Sequence, residues 1–259
     1  MVKKVVFSIT ILLLLAGCNP EVFFEKLIPN EEIAFSKQYF ALFQSRNFDA
    51  IEKKINPTSK NDLLRYKLEQ MAAFFPEEEP KAINTVDSHI FKTTKLWQGT
   101  FTFQYEFQNK WLLAHIVLEK KEDIFLVNAV NVKPLSDSLE NINQFTFQEK
   151  SAMSYLIFAL AIILPLFTVF TLAFCLKTPI PKGKWFWMIF ILFGFTQVVV
   201  NWTTGGIIIK PISFQLFSSS FIKASFYAPV FVSISFPLGA IIFWIKRKKW
   251  LTLPVENKD

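Results

Sequence analysis

Histidine, cysteine and, in one half of the chain, carboxylates are scarce. Two histidines and two cysteines occur in 259 residues. Cys18 closes an N-terminal apolar run and Cys175 lies inside another, which leaves no disulfide framework and no CxxC-type metal site. HExxH, GxSxG, a Walker loop and a Rossmann fingerprint are all missing. No metal ligand and no cofactor-binding residue is therefore assigned. Residues 151–259 hold 10 basic and only 2 acidic side chains, whereas residues 19–150 hold 16 and 19. The net charge of +7 is thus confined to the apolar half, where it bears on membrane orientation. The other half is mildly acidic, which argues against a nucleic acid partner.

Apolar residues are abundant instead. They make up 52% of the chain, with 31 phenylalanines, too many for an ordinary soluble domain. The first run is short. Lys3 and Lys4 precede a mostly apolar stretch over residues 5–16, then Leu15-Ala16-Gly17-Cys18. A charged start, a short apolar core and small residues before a cut describe a secretory signal peptide. About 20 residues are needed to span a bilayer, and this run is shorter. Leu15-Ala16-Gly17-Cys18 resembles the lipobox of bacterial lipoproteins. That resemblance implies that Cys18 carries a lipid such as palmitate and becomes the first residue of the mature chain. It also implies that the domain after Cys18 lies outside the cytoplasmic membrane.

Three later stretches have no charged residue: 153–176, 185–202 and 224–245. Each is long enough, as a helix, to cross the hydrocarbon layer of about 30 Å. They predict three transmembrane helices within residues 151–250. Lys177, Lys182 and Lys184 follow the first stretch, and Lys246, Arg247, Lys248 and Lys249 follow the third. Such clusters face the cytoplasm. The expected topology is a multi-pass protein of the bacterial inner membrane. Residues 19–150 would lie on its periplasmic side, and a tail over 251–259 in the cytoplasm. Both orientation signals agree. With no ionisable group inside the spans, transport by this chain alone is not expected. Residues 203–223 are read as an outer loop, interfacial or extending the second helix.

Between the lipobox and the spans, residues 19–29 read as a linker, 30–135 as an exported domain and 136–150 as a second linker. Helices are expected over 30–46, 48–55 and 61–75, where Leu64, Leu68, Met71 and Phe75 share a face. Strict alternation follows over 97–107. Trp97, Gly99, Phe101, Phe103, Tyr105 and Phe107 alternate with Gln98, Thr100, Thr102, Gln104 and Glu106. That is a strand with one buried face. Further strands are expected over 83–92, 111–119 and 124–132, in an antiparallel meander. The predicted fold class is α+β: N-terminal helices packed on a curved, cone-like antiparallel sheet, followed by the all-α membrane region. The order of elements, with Tyr39-Phe40 and Phe43, Asn47-Phe48-Asp49-Ala50-Ile51 and Asn56-Pro57, resembles the cystatin-like fold of the nuclear transport factor superfamily. The resemblance implies a cone whose hollow holds a ligand or docks a partner.

The chemistry offered is thin. His115 alternates with Trp111, Leu113 and Val117 on a strand, and is a general acid–base candidate with Glu106 or Asp87 as orienting carboxylate. The linker over 19–29 reaches at most about 40 Å, so the domain stays near the bilayer. The leading expectation is a membrane-proximal binding or assembly module. Its partners would be membrane lipids, an apolar ligand or a neighbouring membrane protein. The alternatives are a hydrolase- or isomerase-like enzyme using His115, and a structural subunit of a membrane complex.

Overall fold

The computed structural model describes residues 30–94, 96–180 and 182–251. The signal sequence, Cys18, the linker over 19–29 and most of the C-terminal tail lie outside the described residues. The chain divides into two units, residues 1–142 and 143–259.

The first unit is α+β. Helix α1 (Asn30–Gln44), α2 (Phe48–Lys54) and α3 (Leu64–Ala72) precede β1 (Ala82–Lys92), β2 (Trp97–Glu106), β3 (Trp111–Lys121) and β4 (Ile124–Leu135). The strands form an antiparallel sheet in the order β1-β2-β3-β4. Asn47 caps α2 by accepting from Ala50 N, so the break expected there has its cause in one side chain. Asn56 does the same for a 3-10 turn at Pro57–Ser59. The alternation in β2 is realised: Phe101, Phe103 and Tyr105 are buried, and Phe103 and Tyr105 meet Phe40 and Phe75 from the helical side at ring separations of 5.7–6.2 Å. Register shifts between Thr85 and Asp87 and between Val117 and Leu118 mark bulges, which bend and twist a sheet.

The expected linker over 136–150 is not slack. Helix α4 (Leu139–Ile142) folds back over the sheet. Gln104 is fully buried there, accepting from Leu139 N at 2.6 Å and donating to Glu140 Oε2 at 2.9 Å. Residues 143–147 belong to the second unit. Asn143 donates to Tyr227 O, and Trp202 Nε1 donates to Thr146 O.

The second unit corrects the expectation of three spanning helices. Helix α5 (Ala152–Lys177) matches the first run, with Pro165 inside it. Among the described residues it is the one helix long and apolar enough to cross a membrane. The second run is helix α6 (Lys184–Leu192) continued as strand β5 (Phe193–Asn201). The third is strand β8 (Val230–Phe236) followed by helix α7 (Leu238–Leu251). The expected outer loop supplies β6 (Ile207–Leu216) and β7 (Ser219–Lys223). Hydrophobicity and length decide whether a segment tolerates lipid; they do not decide its conformation. Val198-Val199-Val200, Ile207-Ile208-Ile209 and Val230, Val232 and Ile234 are β-branched runs that favour extended backbone. Pro237 is the residue ahead of α7, its carbonyl accepting from Ile241 N.

The unit has two tiers along α5. Ile157, Phe158 and Ala161 pack against Val200, Trp202, Val230 and Val232 of the sheet and its flank. Towards the other end, Leu172, Phe174 and Cys175 pack with Ile191, Ala240 and Phe243 of α6 and α7. The sheet order is β6-β5-β8-β7, yet β6 and β7 are joined by Phe217 and Ser218 alone. Both residues are left-handed, with φ of 55° and 60°. In a flat sheet the outer strands would lie about 14 Å apart. Two linking residues span at most about 11 Å. The sheet therefore curls at that end and brings its edges together.

Candidate functional site

Four places in the fold carry chemistry. The first is the outer face of the first sheet, opposite the helices. Register places Asp87, Thr102, His115 and Asn131 in one row across the four strands. Thr102 and His115 alternate with residues of the aromatic core, so His115 stands on the face away from the helix-covered interior. Its Nδ1 lies 3.0 Å from Thr102 Oγ1. Asp87 is engaged by His89 Nε2 at 3.2 Å, and both are exposed. Glu106 pairs with Trp111, two same-face rungs away from the pair Thr102–His115. Rungs of one face are about 7 Å apart, which takes Glu106 out of hydrogen-bond reach. The structure thus gives His115 a hydroxyl for a partner. It does not bring His115, Glu106 and Asp87 together as a dyad. Among the described residues no group of His, Cys, Asp or Glu is arranged to hold a metal ion.

The second place is the space between helices and sheet, where the fold resemblance implies a hollow. Aromatic rings occupy it. Tyr39, Phe40 and Phe43 of α1 meet one another and Phe75, Phe103 and Tyr105 through ring contacts at 5.7–6.4 Å. All are at most 5% exposed, so the space is packed by the protein's own side chains. The hydroxyls of Tyr39 and Tyr105 have no partner among the described residues, and burial pushes both phenol pKa values up.

The third place is one end of the same sheet, where Ile90, Phe91, Leu96 and Ile124 are exposed beside Lys92 and Lys121. Register brings the ends of β1 and β3 and the starts of β2 and β4 to this edge. An apolar cluster at hairpin tips, rimmed by charges of both signs (Lys92 and Lys121, with Glu122 and Asp123 in the β3–β4 turn), suits a partner surface better than a reaction.

The fourth place is the curled end of the second sheet. Ser233 Oγ accepts from Gln197 Nε2 at 3.1 Å and Gln215 Nε2 at 2.7 Å, and lies 2.7 Å from Ser220 Oγ. With two bonds accepted, its own proton goes to Ser220. Gln215 Oε1, Ser218 Oγ and Ser235 Oγ are buried in the same sheet without partners among the described residues. A Cβ on Gly194 would lie 2.1 Å from Ser235 Oγ and 2.7 Å from Ser218 Oγ, so the glycine makes room for the hydroxyls. From sequence, Gln197 reads as a bond between helices. The signal that points to this nest is the period-two spacing of Ser233 and Ser235.

Compared with known proteins, the chain matches no family model, no characterised sequence and no solved structure.

Proposed function

We propose that this chain is a lipid-anchored protein of the bacterial inner membrane whose periplasmic α+β unit is a binding or assembly module. The observation that carries the reading is the surface of the second unit. Only 17% of the most apolar window of α5 is buried, whereas the core helix of a soluble protein would be largely covered. Leu166, Phe186, Ile212 and Phe214 are each at least 65% exposed. A patch of this extent marks a lipid or protein interface.

The mixed tiers fit a bilayer. α5 is about 39 Å long, enough to cross it. From Lys184 through α6 and five residues of β5 the chain covers about 30 Å, the thickness of the hydrocarbon. It ends there at Gln197, whose strand partner is Lys210. The apolar path is thus bounded by a lysine at each end, and the second and third runs still traverse the layer. An open sheet edge is not tolerated in lipid. The turn at Phe217 and Ser218 answers that, because it draws the two edges together at the deepest level of the sheet.

For the periplasmic unit, a packed interior and a histidine bonded to a threonine favour docking over catalysis. The hairpin tips at Phe91 are the docking surface of choice. The test is a photo-crosslinker at Phe91 in cells, followed by purification of the intact protein in mild detergent. The expected result is a discrete adduct with a membrane protein of the envelope. Recovery of the chain without any adduct would count against assembly. The anchor has its own check: Cys18→Ala abolishes incorporation of labelled palmitate, and unchanged labelling would refute it.

A further inference from the structure

We propose that the helical end of the second unit holds the phosphate headgroup of an anionic phospholipid, with Arg247 as the fork that grips it. This rests on the membrane reading above. Thr178, 1% exposed, donates to Phe174 O at 2.8 Å and accepts from Arg247 Nε at 3.2 Å. The guanidinium lies over the rings of Phe174 and Trp244, at 4.9 and 5.0 Å from their centroids. Trp244 is itself fixed, its Nε1 donating to Thr171 Oγ1 at 3.0 Å. The plane of the guanidinium is therefore set in advance. Its two Nη groups have no hydrogen bond among the described residues. A planar fork with two free donor groups matches two oxygens of a phosphate.

The surroundings select the ligand by charge. Lys246 sits over the Trp187 ring at 5.4 Å, and Lys184 Nζ donates to Leu176 O at 2.9 Å. Lys248 and Lys177 stand at the same end. Among the described residues of this unit the one carboxylate is Glu149, which precedes the opposite end of α5. Among the described residues no acid at this end offsets the repulsion between these cations, and an anion relieves it. Trp185, Phe186 and Ile245 are exposed in the same tier. A soluble polyanion would leave these in water, whereas a lipid covers them with its chains while its phosphate meets the fork. Orientation across the membrane needs only positive charge. It does not need an arginine held flat between a threonine and two rings.

The experiment uses the full chain in mild detergent and follows its thermal unfolding with added lipid. Phosphatidylglycerol is expected to raise the midpoint, while phosphatidylcholine with the same acyl chains and inorganic phosphate do not. Arg247→Gln should weaken the response roughly tenfold in half-saturating lipid, the scale of one charge-assisted hydrogen-bond pair. Arg247→Lys, which keeps the charge and loses the fork, should fall between, and it serves where the glutamine variant does not fold. Equal responses to the two lipids, or an Arg247→Gln response like the parent's, would overturn the proposal. So would a phosphatidylglycerol response that appears only with Glu256→Gln and Asp259→Asn, since the tail would then own the fork. Alkaline carbonate extraction separates the two claims. Release of the protein from native membranes defeats the membrane reading, whereas retention without lipid preference defeats the headgroup site alone.

Discussion

Gln104 shows how a single polar side chain decides where a segment lies. It sits on the outer face of β2, where even-numbered positions would meet water, yet it is fully buried because α4 covers it. Removing the amide leaves Leu139 N and Glu140 without their partner. Gln104→Ala should lower stability by about 1–3 kcal/mol, read from urea unfolding monitored by tryptophan fluorescence. A loss below a few tenths would mean that α4 is not docked. Glu119 carries a pH dependence. It is gripped by Lys121 at 2.9 Å, Asn128 at 2.9 Å and Asn56 at 3.0 Å, and its pKa is lowered, chiefly by the Lys121 hydrogen bond and then by Asn128, against burial. A carboxyl depressed in the folded state stabilises it above the unfolded pKa. That contribution is lost as pH falls through the folded value. The stability of Glu119→Gln should therefore vary less with pH on the acid side than the parent's does.

At the scale of elements, the first unit was largely legible. The period-two pattern of β2 and the caps at Asn47 and Asn56 act locally, and burial follows the pattern. α4 was not legible, since its position depends on Gln104, which is distant in sequence. The second unit misled for a different reason. Uniform apolarity erases the contrast between faces that periodicity relies on, so only β-branching, Gly205-Gly206 and alternating serines remained as signals. Infrared spectra with labelled carbonyls at Val198, Val199 and Val200 should give a β-sheet band, and a helical band would restore a continuous second span. Helices α6 and α7 also approach closely. A Cβ on Gly239 would lie 2.0 Å from Phe190 O, a backbone atom that cannot step aside. Gly239→Ala should cost about 1–3 kcal/mol in detergent unfolding, and a neutral result would mean that the two helices do not touch there. Of the candidate site, the sequence presented His115, Glu106 and Asp87, but pairing across strands separates them.

For the whole molecule, the proposed arrangement joins one lipid-facing unit to one unit held in the periplasm. Composition alone carried that division, because carboxylates crowd the first part and nearly vanish from the second. The proposed topology rests on the lysine-rich end and is open to direct reading. In a Cys175→Ala background, with Cys18 blocked by its proposed lipid and the background protein as the labelling control, cysteines at Asn109, exposed in the β2–β3 turn, and at Lys248, exposed near the end of α7, report the two sides. With a membrane-impermeant maleimide on spheroplasts, Asn109→Cys should be labelled without lysis and Lys248→Cys only after it. Labelling of Asn109→Cys only after lysis would contradict the proposed topology at its centre.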